Sequence, residues 1–258
     1  MSAPLSDVLD RDATEGHPAL EIADVSVSFG GINAVSDVSL TADNGMITGL
    51  IGPNGAGKTT TFNVITGLQP PTHGRVFIAG QDVSKLPPHK RARLGVARTF
   101  QRLEVFGSLT AYENLLAAAE FHRSWSGDST PPKDVARAAL DRVGLGSVAE
   151  ARVDSLPTGL ARLVELGRAL ATKPRLLLLD EVGSGLSHEE VHVLGDLMLD
   201  LAKEGIAILL VEHDVELVMR VCSRIHVLDF GLLIASGSRE EIQQNPAVQA
   251  AYLGVEEG

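Results

Sequence analysis

The order of apolar and polar residues along the chain predicts short strands that alternate with helices. Leu20–Phe29 carries apolar residues at alternating positions, which is typical of a strand with one buried face. The apolar runs 175–179 and 206–211 instead indicate strands buried on both faces, as in a parallel sheet. The predicted strands are Leu20–Phe29, 38–40, 46–51, 75–79, 96–100, 175–179, 206–211, 224–228 and 232–235.

Helical periodicity fills most of the intervals between these strands. The predicted helices are 60–65, a short one that starts at Pro87 and Pro88, 110–120, 134–143, 156–170, 189–203, 214–221 and 246–253. Asp43, Asn44 and Gly45 are turn residues between two predicted strands, so they predict a hairpin. Residues 1–19 are polar without a period and predict a flexible tail. The pattern therefore predicts one α/β domain over 20–258, with an inserted helical subdomain at about 102–172 and a C-terminal helix at about 246–253.

A glycine-rich segment between the strand at 46–51 and the helix at 60–65 fits the pattern G-x-x-x-x-G-K-T, a phosphate-binding P-loop. Its backbone N–H groups and the start of the following helix form an anion site. Lys58 is expected to reach the β- and γ-phosphates, and the Thr59 hydroxyl to bind Mg²⁺. The predicted nucleotide-binding residues are Gly52, Pro53, Asn54, Gly55, Ala56, Gly57, Lys58, Thr59 and Thr60.

Acidic residues end the apolar strand at 175–179. Asp180 has the position of a Mg²⁺-binding carboxylate in a P-loop enzyme, and Glu181 is placed to accept a proton from attacking water. The alternative, two solvated acids at a strand end, is disfavoured by the P-loop on the same chain. His213 follows the next strand in the same way. It either contacts the γ-phosphate or orients water, or it is a surface imidazole or a neighbour of a helix N-cap at Asp214, and the residues alone favour the latter pair. Phe29 either stacks on an adenine or is a core residue at a strand end, and the residues alone favour the core.

Composition narrows the classes of function. The chain has 258 residues, 44% of them hydrophobic, and a net charge of −11, which argues against nucleic acid as the main partner. The densest basic cluster, at 90–93, is interpreted as a solvated helix face. Cys222 is the single cysteine, so no internal disulfide is possible. No run approaches the roughly 18 apolar residues of a membrane span, and the N-terminus lacks the features of a secretory signal. These features predict a soluble cytoplasmic protein.

The order and spacing of the motifs resemble those of an ABC-transporter ATPase from about residue 20 to the end of the chain. The segments ARTFQ (97–101), ENLL (113–116), VEHD (211–214) and NPAVQAAYLG (245–254) are similar to ATPases of branched-chain amino acid importers. The related lipopolysaccharide-export ATPases share the YLG tail but not the ARTFQ motif. The resemblance implies a P-loop NTPase with a parallel core sheet, an antiparallel N-terminal β subdomain and an inserted α-helical subdomain.

The resemblance also implies residue roles and partners. Phe29 would stack on adenine, and Gln101 would bind Mg²⁺ and couple the metal and the attacking water to membrane subunits. Glu181 would be the catalytic base and His213 the γ-phosphate switch. ATP and Mg²⁺ would be the cofactors, and the protein would lie at the cytoplasmic face of the cell membrane. Its partners would be integral membrane permease subunits, a second ABC ATPase subunit and, indirectly, a solute-binding protein.

The chain departs from the family at the signature L-S-G-G-Q, which contacts the ATP of the partner subunit. The aligned residues here are Leu156, Pro157, Thr158, Gly159 and Leu160. The serine hydroxyl is lost, and Pro157 has no backbone N–H. A homodimer would carry this defect at both ATP sites, so a heterodimer with an intact partner signature is expected. The alternative is that Thr158 replaces the serine and a homodimer works normally.

Two other functions compete with ATP-driven import. The first is an ABC ATPase outside transport that acts on DNA or ribosomes, which the acidic charge and the single cassette disfavour. The second is a degenerate subunit that binds ATP with little hydrolysis, which the altered signature supports. The substrate stays open among hydrophobic amino acids, urea and other amides, because a cassette does not contact it.

Overall fold

Two sheets organise residues 16–253, the part of the chain that the computed structural model describes. Most of the predicted tail at 1–19 lies outside these residues. The strands are β1 Leu20–Phe29, β2 Ile32–Ala42, β3 Ile47–Ile51, β4 His73–Ile78, β5 Gln81–Asp82, β6 Val96–Arg98, β7 Leu176–Asp180, β8 Ala207–Val211, β9 Arg224–Asp229 and β10 Leu232–Gly237.

The larger sheet has the order β10-β9-β3-β8-β7-β6. Its five strands from β9 to β6 are parallel, and β10 pairs antiparallel with β9 at one edge. Every residue of β3, β7 and β8 is buried, because helices cover one face of this sheet, and the smaller sheet with the first helix covers the other. This sheet brings the carboxyl ends of β3, β7 and β8 to one edge, where ligands bind in such folds.

The smaller sheet is antiparallel, with the order β2-β1-β4-β5. Its apolar residues pack against β3 and the first helix in one core that includes Leu20, Val35, Leu50 and Phe62. The predicted combination of a parallel core sheet, an antiparallel N-terminal sheet and helices is therefore confirmed.

The predicted hairpin at 43–45 is wrong. The turn joins β2 to β3, but β2 pairs with β1 in the small sheet while β3 pairs with β8 and β9 in the large one. The true hairpin is β1–β2, which turns at Gly30 and Gly31 with φ of 56° and 91°. The physical reason is burial: β3 is covered on both faces and needs two parallel neighbours, whereas β2 alternates and leaves one face in solvent.

The helices are α1 Lys58–Thr66, α2 Pro88–Arg93, α3 Ala111–Ser126, α4 Pro132–Arg142, α5 Thr158–Ala171, α6 His188–Lys203, α7 Val215–Val221, α8 Arg239–Gln243 and α9 Pro246–Val248, which continues as a π-helical turn over Gln249–Leu253. The predicted helix at 60–65 starts two residues earlier, at Lys58, and the one at 156–170 starts at Thr158. Thr110 caps α3 in a capping box with Glu113. Helices α3, α4 and α5 pack together around buried residues such as Leu115, Leu140 and Val164.

The interpretation of 90–93 as a solvated face is wrong for Arg91, which is 1% exposed. Its Nη1 donates to the carbonyls of Val64 (2.6 Å) and Ile65 (2.8 Å), and its Nε donates to Leu86 O (2.9 Å). A guanidinium has several fixed donors, so it can satisfy carbonyls from separate segments at once. Because α1 ends at Thr66, Arg91 supplies donors and positive charge at its C-terminus, where the helix dipole favours a cation.

Candidate functional site

The phosphate-binding loop connects β3 to α1 in a conformation that only glycine adopts easily. Gly52, Gly55 and Gly57 have φ of 149°, 81° and 104°. A Cβ at Gly52 would lie 2.0 Å from Leu228 O, and one at Gly57 would lie 2.6 Å from Ala34 O. Residues with a side chain are therefore excluded at both positions. The loop presents the first turn of α1, whose N–H groups have no intrahelical partner, towards the site.

Lys58 is the first residue of α1 and is buried. Its Nζ donates to the carbonyls of Gly52 (2.6 Å) and Pro53 (2.9 Å). Burial lowers the pKa of Lys58, and the nearby Glu181 and Asp180 carboxylates oppose that effect. The carbonyls of the loop thus hold the ammonium beside the place where an anionic ligand of the loop would bind.

A cavity of about 240 Å³ opens beside the loop and collects most of the predicted nucleotide- and magnesium-binding residues. The residues lining it are Ala34, Asn54, Gly55, Gly57, Lys58, Thr59, Thr60, Gln101, Asp180, Glu181 and Val211. Of the remaining loop residues, Ala56 is buried beneath, where its carbonyl accepts a hydrogen bond from Gly231 N (3.0 Å). The cavity has the donors for phosphates on one side and carboxylates on the other.

Asp180 ends β7 with a side chain that is 2% exposed. Its Oδ2 accepts a hydrogen bond from Arg98 Nη2 at 3.0 Å, and its backbone N–H donates to Thr99 Oγ1 at 3.1 Å. Burial raises the pKa of Asp180, while the Arg98 guanidinium opposes the rise. The second guanidinium nitrogen of Arg98 donates to Asn63 Oδ1 in α1 (2.7 Å), so Arg98 joins the phosphate-binding helix to β7.

Glu181 has the left-handed φ of 52°, which a residue with a side chain rarely adopts. Its N–H donates to Val211 O (2.9 Å), which fixes the turn at the end of β7. The Oε1 atom accepts a hydrogen bond from Gln101 Nε2 (3.1 Å) and lies 2.7 Å from His213 Nε2. Three predicted site residues from three separate strand ends are therefore in direct contact.

The segment that carries Gln101 is held by two charged residues of α5, Arg162 and Glu165, that were not among the predicted site residues. Arg162 donates to the carbonyls of Phe100 and Gln101, and Glu165 accepts from Phe100 N at 3.1 Å. Burial raises the pKa of Glu165. Charged residues three positions apart on the apolar face of a predicted helix were the available signal. Arg98 was missed as well, because nothing local marks its pairing with Asp180.

Phe29 ends β1 and is 50% exposed, so its interpretation as a core residue is wrong. It does not line the cavity.

The signature-like residues also lie apart from the cavity. Pro157 precedes α5 without a side-chain cap, and Thr158 is its first residue. A Cβ at Gly159 would lie 2.7 Å from Gly185 O, so the start of α5 packs tightly on the loop that follows Glu181. Leu156 and Leu160 are partly buried against the core.

A groove of about 760 Å³ runs between α3, α5 and the segment after β6. Val105 and Phe106 line it; Val105 also packs on the core, as does Leu103, and Phe106 is exposed. Arg98 and Glu165 lie in its wall, and Arg98 Nε and Glu165 Oε2 are buried there without a hydrogen-bond partner. Arg98 therefore connects the two: it lines the groove and donates a hydrogen bond to Asp180, which lines the cavity.

The site defines a P-loop nucleotide hydrolase. Lys58 lies at the glycine-rich loop after β3, Asp180 and Glu181 lie at the end of β7, and His213 contacts Glu181. Within residues 16–253, no helix is long and apolar enough to span a bilayer.

Comparison of the sequence and the fold with known proteins identifies which family of P-loop nucleotide hydrolases this chain resembles. Residues 35–184 match the ABC transporter family, and residues 233–258 match the family of branched-chain amino acid ATP-binding cassette transporters. The chain is 38% identical to the high-affinity branched-chain amino acid transport ATP-binding protein BraF of Pseudomonas aeruginosa, over 92% of this chain and 98% of that protein. It is 39% identical to LivG of Escherichia coli over the same shares. A crystal structure of a nucleotide-free ATP-binding cassette from an ABC transporter superposes with a TM-score of 0.82 at 30% identity, covering 92% of this chain and 99% of that one.

The chain belongs to the ABC transporter family, as its motifs predicted. It is an ATP-binding subunit whose ATPase activity is coupled to transport, and such subunits work with membrane permease components.

Proposed function

We propose that this chain binds MgATP and hydrolyses it to drive the import of branched-chain amino acids or related amides. The relatives BraF and LivG are named for branched-chain amino acid transport, and the C-terminal family match supports the same substrate class. The observation that carries the ATPase assignment is the contact of Glu181 with both Gln101 and His213 beside the phosphate-binding loop. Attachment at the cytoplasmic face of the membrane is part of this proposal, because BraF and LivG are named as ATP-binding proteins of transport systems.

The residues around the cavity fit a magnesium ion. The Thr59 hydroxyl, the Gln101 amide oxygen and the Asp180 carboxylate are the hard oxygen ligands that Mg²⁺ prefers. When bound, Mg²⁺ supplies charge neutralisation at the β- and γ-phosphates. Lys58 would exchange its two loop carbonyls for phosphate oxygens, since both are acceptors for the same ammonium. Phe29 is half-exposed and thus free to stack on adenine.

Glu181 is assigned as the general base and His213 as the residue that holds it in position. A base must reach the water that attacks the γ-phosphate, and the Glu181 carboxylate lines the cavity next to Lys58. His213 and Gln101 both contact Oε1, which leaves Oε2 of Glu181 available for that water.

Transport by reconstituted complexes tests the assignment. Glu181→Gln should retain ATP binding and lose ATP-driven leucine uptake into proteoliposomes that contain the permease and the solute-binding protein, by about 10²–10⁴-fold. Glu189→Gln, an exposed carboxamide substitution on α6, is the matched control and should retain uptake. Wild-type uptake by Glu181→Gln would contradict the assigned base. ATP-driven uptake of urea but not leucine would leave the ATPase role intact, contradict branched-chain amino acids as the substrate and favour an amide.

The groove beside α3 and α5 is proposed to receive a helix of the permease. Its apolar lining and its unpartnered Arg98 and Glu165 atoms suit a segment with both apolar and polar side chains. Binding there would act on Asp180 through Arg98, which donates to it, and on the segment that carries Gln101 through Glu165, which accepts from Phe100 N.

We infer further that the working motor is a heterodimer. In this family the signature of one subunit completes the ATP site of the other, and here Pro157 removes both a hydroxyl and an N–H from that contact. Loss of one donor at a developing charge costs about 10²–10³ in rate. The partner's intact signature would avoid this cost at the site built on Lys58 and Glu181.

The heterodimer is tested by purifying this chain alone. Its ATPase activity should be weak and should rise when a partner subunit with an intact signature is added. Vigorous turnover by the isolated chain that Thr158→Ala abolishes would contradict the heterodimer and support a homodimer in which Thr158 replaces the serine.

A further inference from the structure

Two histidines and a glutamate meet on the surface where α6 and α7 begin. His188 and His192 lie one turn apart on α6, and Glu216 is in the first turn of α7. One potential ligand atom from each lies within 4.8 Å of the other two, and all three residues are exposed. The rings of His188 and His192 are 5.7 Å apart between centroids. Among residues 16–253 this is the only such group of three or more.

The chemistry of the group suits a transition metal ion. Imidazole nitrogen and carboxylate oxygen are first-choice ligands of Zn²⁺, with bonds of about 2.0–2.2 Å, so the ligand atoms around a tetrahedral ion lie about 3.3–3.6 Å apart. Histidines four positions apart point to one face of a helix and share an ion without a change in the backbone. Small rotations of exposed side chains bring atoms within 4.8 Å to that spacing.

Arg220 is the group that an ion must displace. Its guanidinium contacts His192 Nδ1 and donates to His192 O at 2.6 Å, and it lies 3.6 Å from the Asp196 carboxylate. Gly195 makes room for it, because a Cβ there would lie 1.8 Å from Arg220 Nη2. Asp196 and the backbone carbonyl offer the guanidinium partners that do not involve the imidazole. Arg220 therefore competes with the ion without being required for the fold of the site.

We propose that His188, His192 and Glu216 form a binding site for a divalent transition metal ion, with Zn²⁺ as its ligand, which bridges α6 and α7. This site is separate from the proposed MgATP site and does not depend on it. Its place connects it to the catalytic segments: α6 follows the loop after Glu181, and α7 begins two residues after His213. An ion that joins the two helices would tie the two catalytic segments to each other.

The test is isothermal titration calorimetry of the tag-free full chain with ZnCl₂. The protein is first stripped of metal with EDTA, and the EDTA is then removed. Wild type should bind one Zn²⁺ that His188→Ala, His192→Ala and Glu216→Ala each weaken by at least about tenfold. His73→Ala, an exposed histidine on β4, is the matched control and should bind like wild type. Arg220→Gln should bind Zn²⁺ more tightly than wild type, because it removes the competing cation.

A second probe reports the ligands directly. CoCl₂ should give visible d–d absorption in wild type and in Arg220→Gln, and none in His188→Ala. Equal Zn²⁺ binding by wild type and by the His188→Ala and Glu216→Ala variants would overturn the proposal, because the ion would then lie elsewhere. The absence of Zn²⁺ binding in both wild type and Arg220→Gln would overturn it as well. Circular dichroism checks that each variant is folded; His188, His192 and Glu216 are exposed, so their replacement by alanine should leave the fold intact.

Discussion

Replacing Arg98 by methionine should destabilise the protein and disable the cavity through Asp180. The Arg98 and Asp180 side chains are 6% and 2% exposed and are joined at 3.0 Å. The guanidinium also lies 5.3 Å from the Phe62 ring centroid and 4.8 Å from that of Phe100, so it is sandwiched as well as paired. Methionine conserves much of the packing and removes the charge.

The magnitude follows from what remains after the substitution. Arg98→Met leaves a buried carboxylate without a partner, which costs about 3–5 kcal/mol. Since burial raises the pKa of Asp180 and Arg98 opposes that rise, the pKa should rise further in the variant. Protonated aspartate costs less to bury, so the loss should be largest at neutral pH and should shrink as pH falls towards the raised pKa.

Urea unfolding followed by the fluorescence of Trp125, the only tryptophan, measures the effect. Arg98→Met should lower the free energy of unfolding by about 3–5 kcal/mol, and the double variant Arg98→Met, Asp180→Asn should recover most of that loss because both charges are gone. Arg102→Met, an exposed site nearby, is the matched control and should change it by less than about 0.5 kcal/mol. A loss of under 1 kcal/mol for Arg98→Met, or a double variant no more stable than the single one, would refute the reasoning.

Two further predictions concern the loop and a buried histidine. Lys58→Ala should weaken MgATP binding at least about tenfold in a fluorescent-nucleotide titration, because it removes a charge-assisted donor worth about 1.5–3 kcal/mol. Binding within twofold of wild type would contradict the role of Lys58. His226 is buried in β9, and burial lowers its pKa from 6.5 to about 4, so the folded state favours the neutral ring. The free energy of unfolding should therefore be unaffected by His226 above about pH 6.5 and should fall by up to about 3 kcal/mol as pH drops towards 4. Tm measured from pH 7 to 4.5 should follow this fall in wild type, and His226→Gln should remove much of it.

The residues that local chemistry dictates were predictable, and those that depend on distant partners were not. The P-loop and the acidic pair at 180–181 combine fixed residue types with a strand before and a helix after, so their place at one sheet edge followed from the motif. The hairpin at 43–45 failed because turn residues do not reveal whether the flanking strands pair with each other. Arg98 and Arg91 look like ordinary surface arginines in sequence, because their partners lie up to 82 residues away.

The signature-like residues 156–160 lie apart from the cavity, so one chain does not bring them to its own phosphate-binding loop. The proposed substrate class follows from the likeness to BraF and LivG and not from the residues of the cavity.

The contact of Arg91 with α1 has a consequence for the order in which the protein folds during synthesis. The carbonyls of Val64 and Ile65 lie 27 and 26 residues before the guanidinium that binds them. At about 5–20 residues per second, the ribosome needs on the order of seconds to deliver Arg91 after α1 has been made. The phosphate-binding loop and its helix are thus synthesised before their distal anchor exists, so until α2 docks, the end of α1 has only the local cap at Gly67, whose N–H donates to Val64 O.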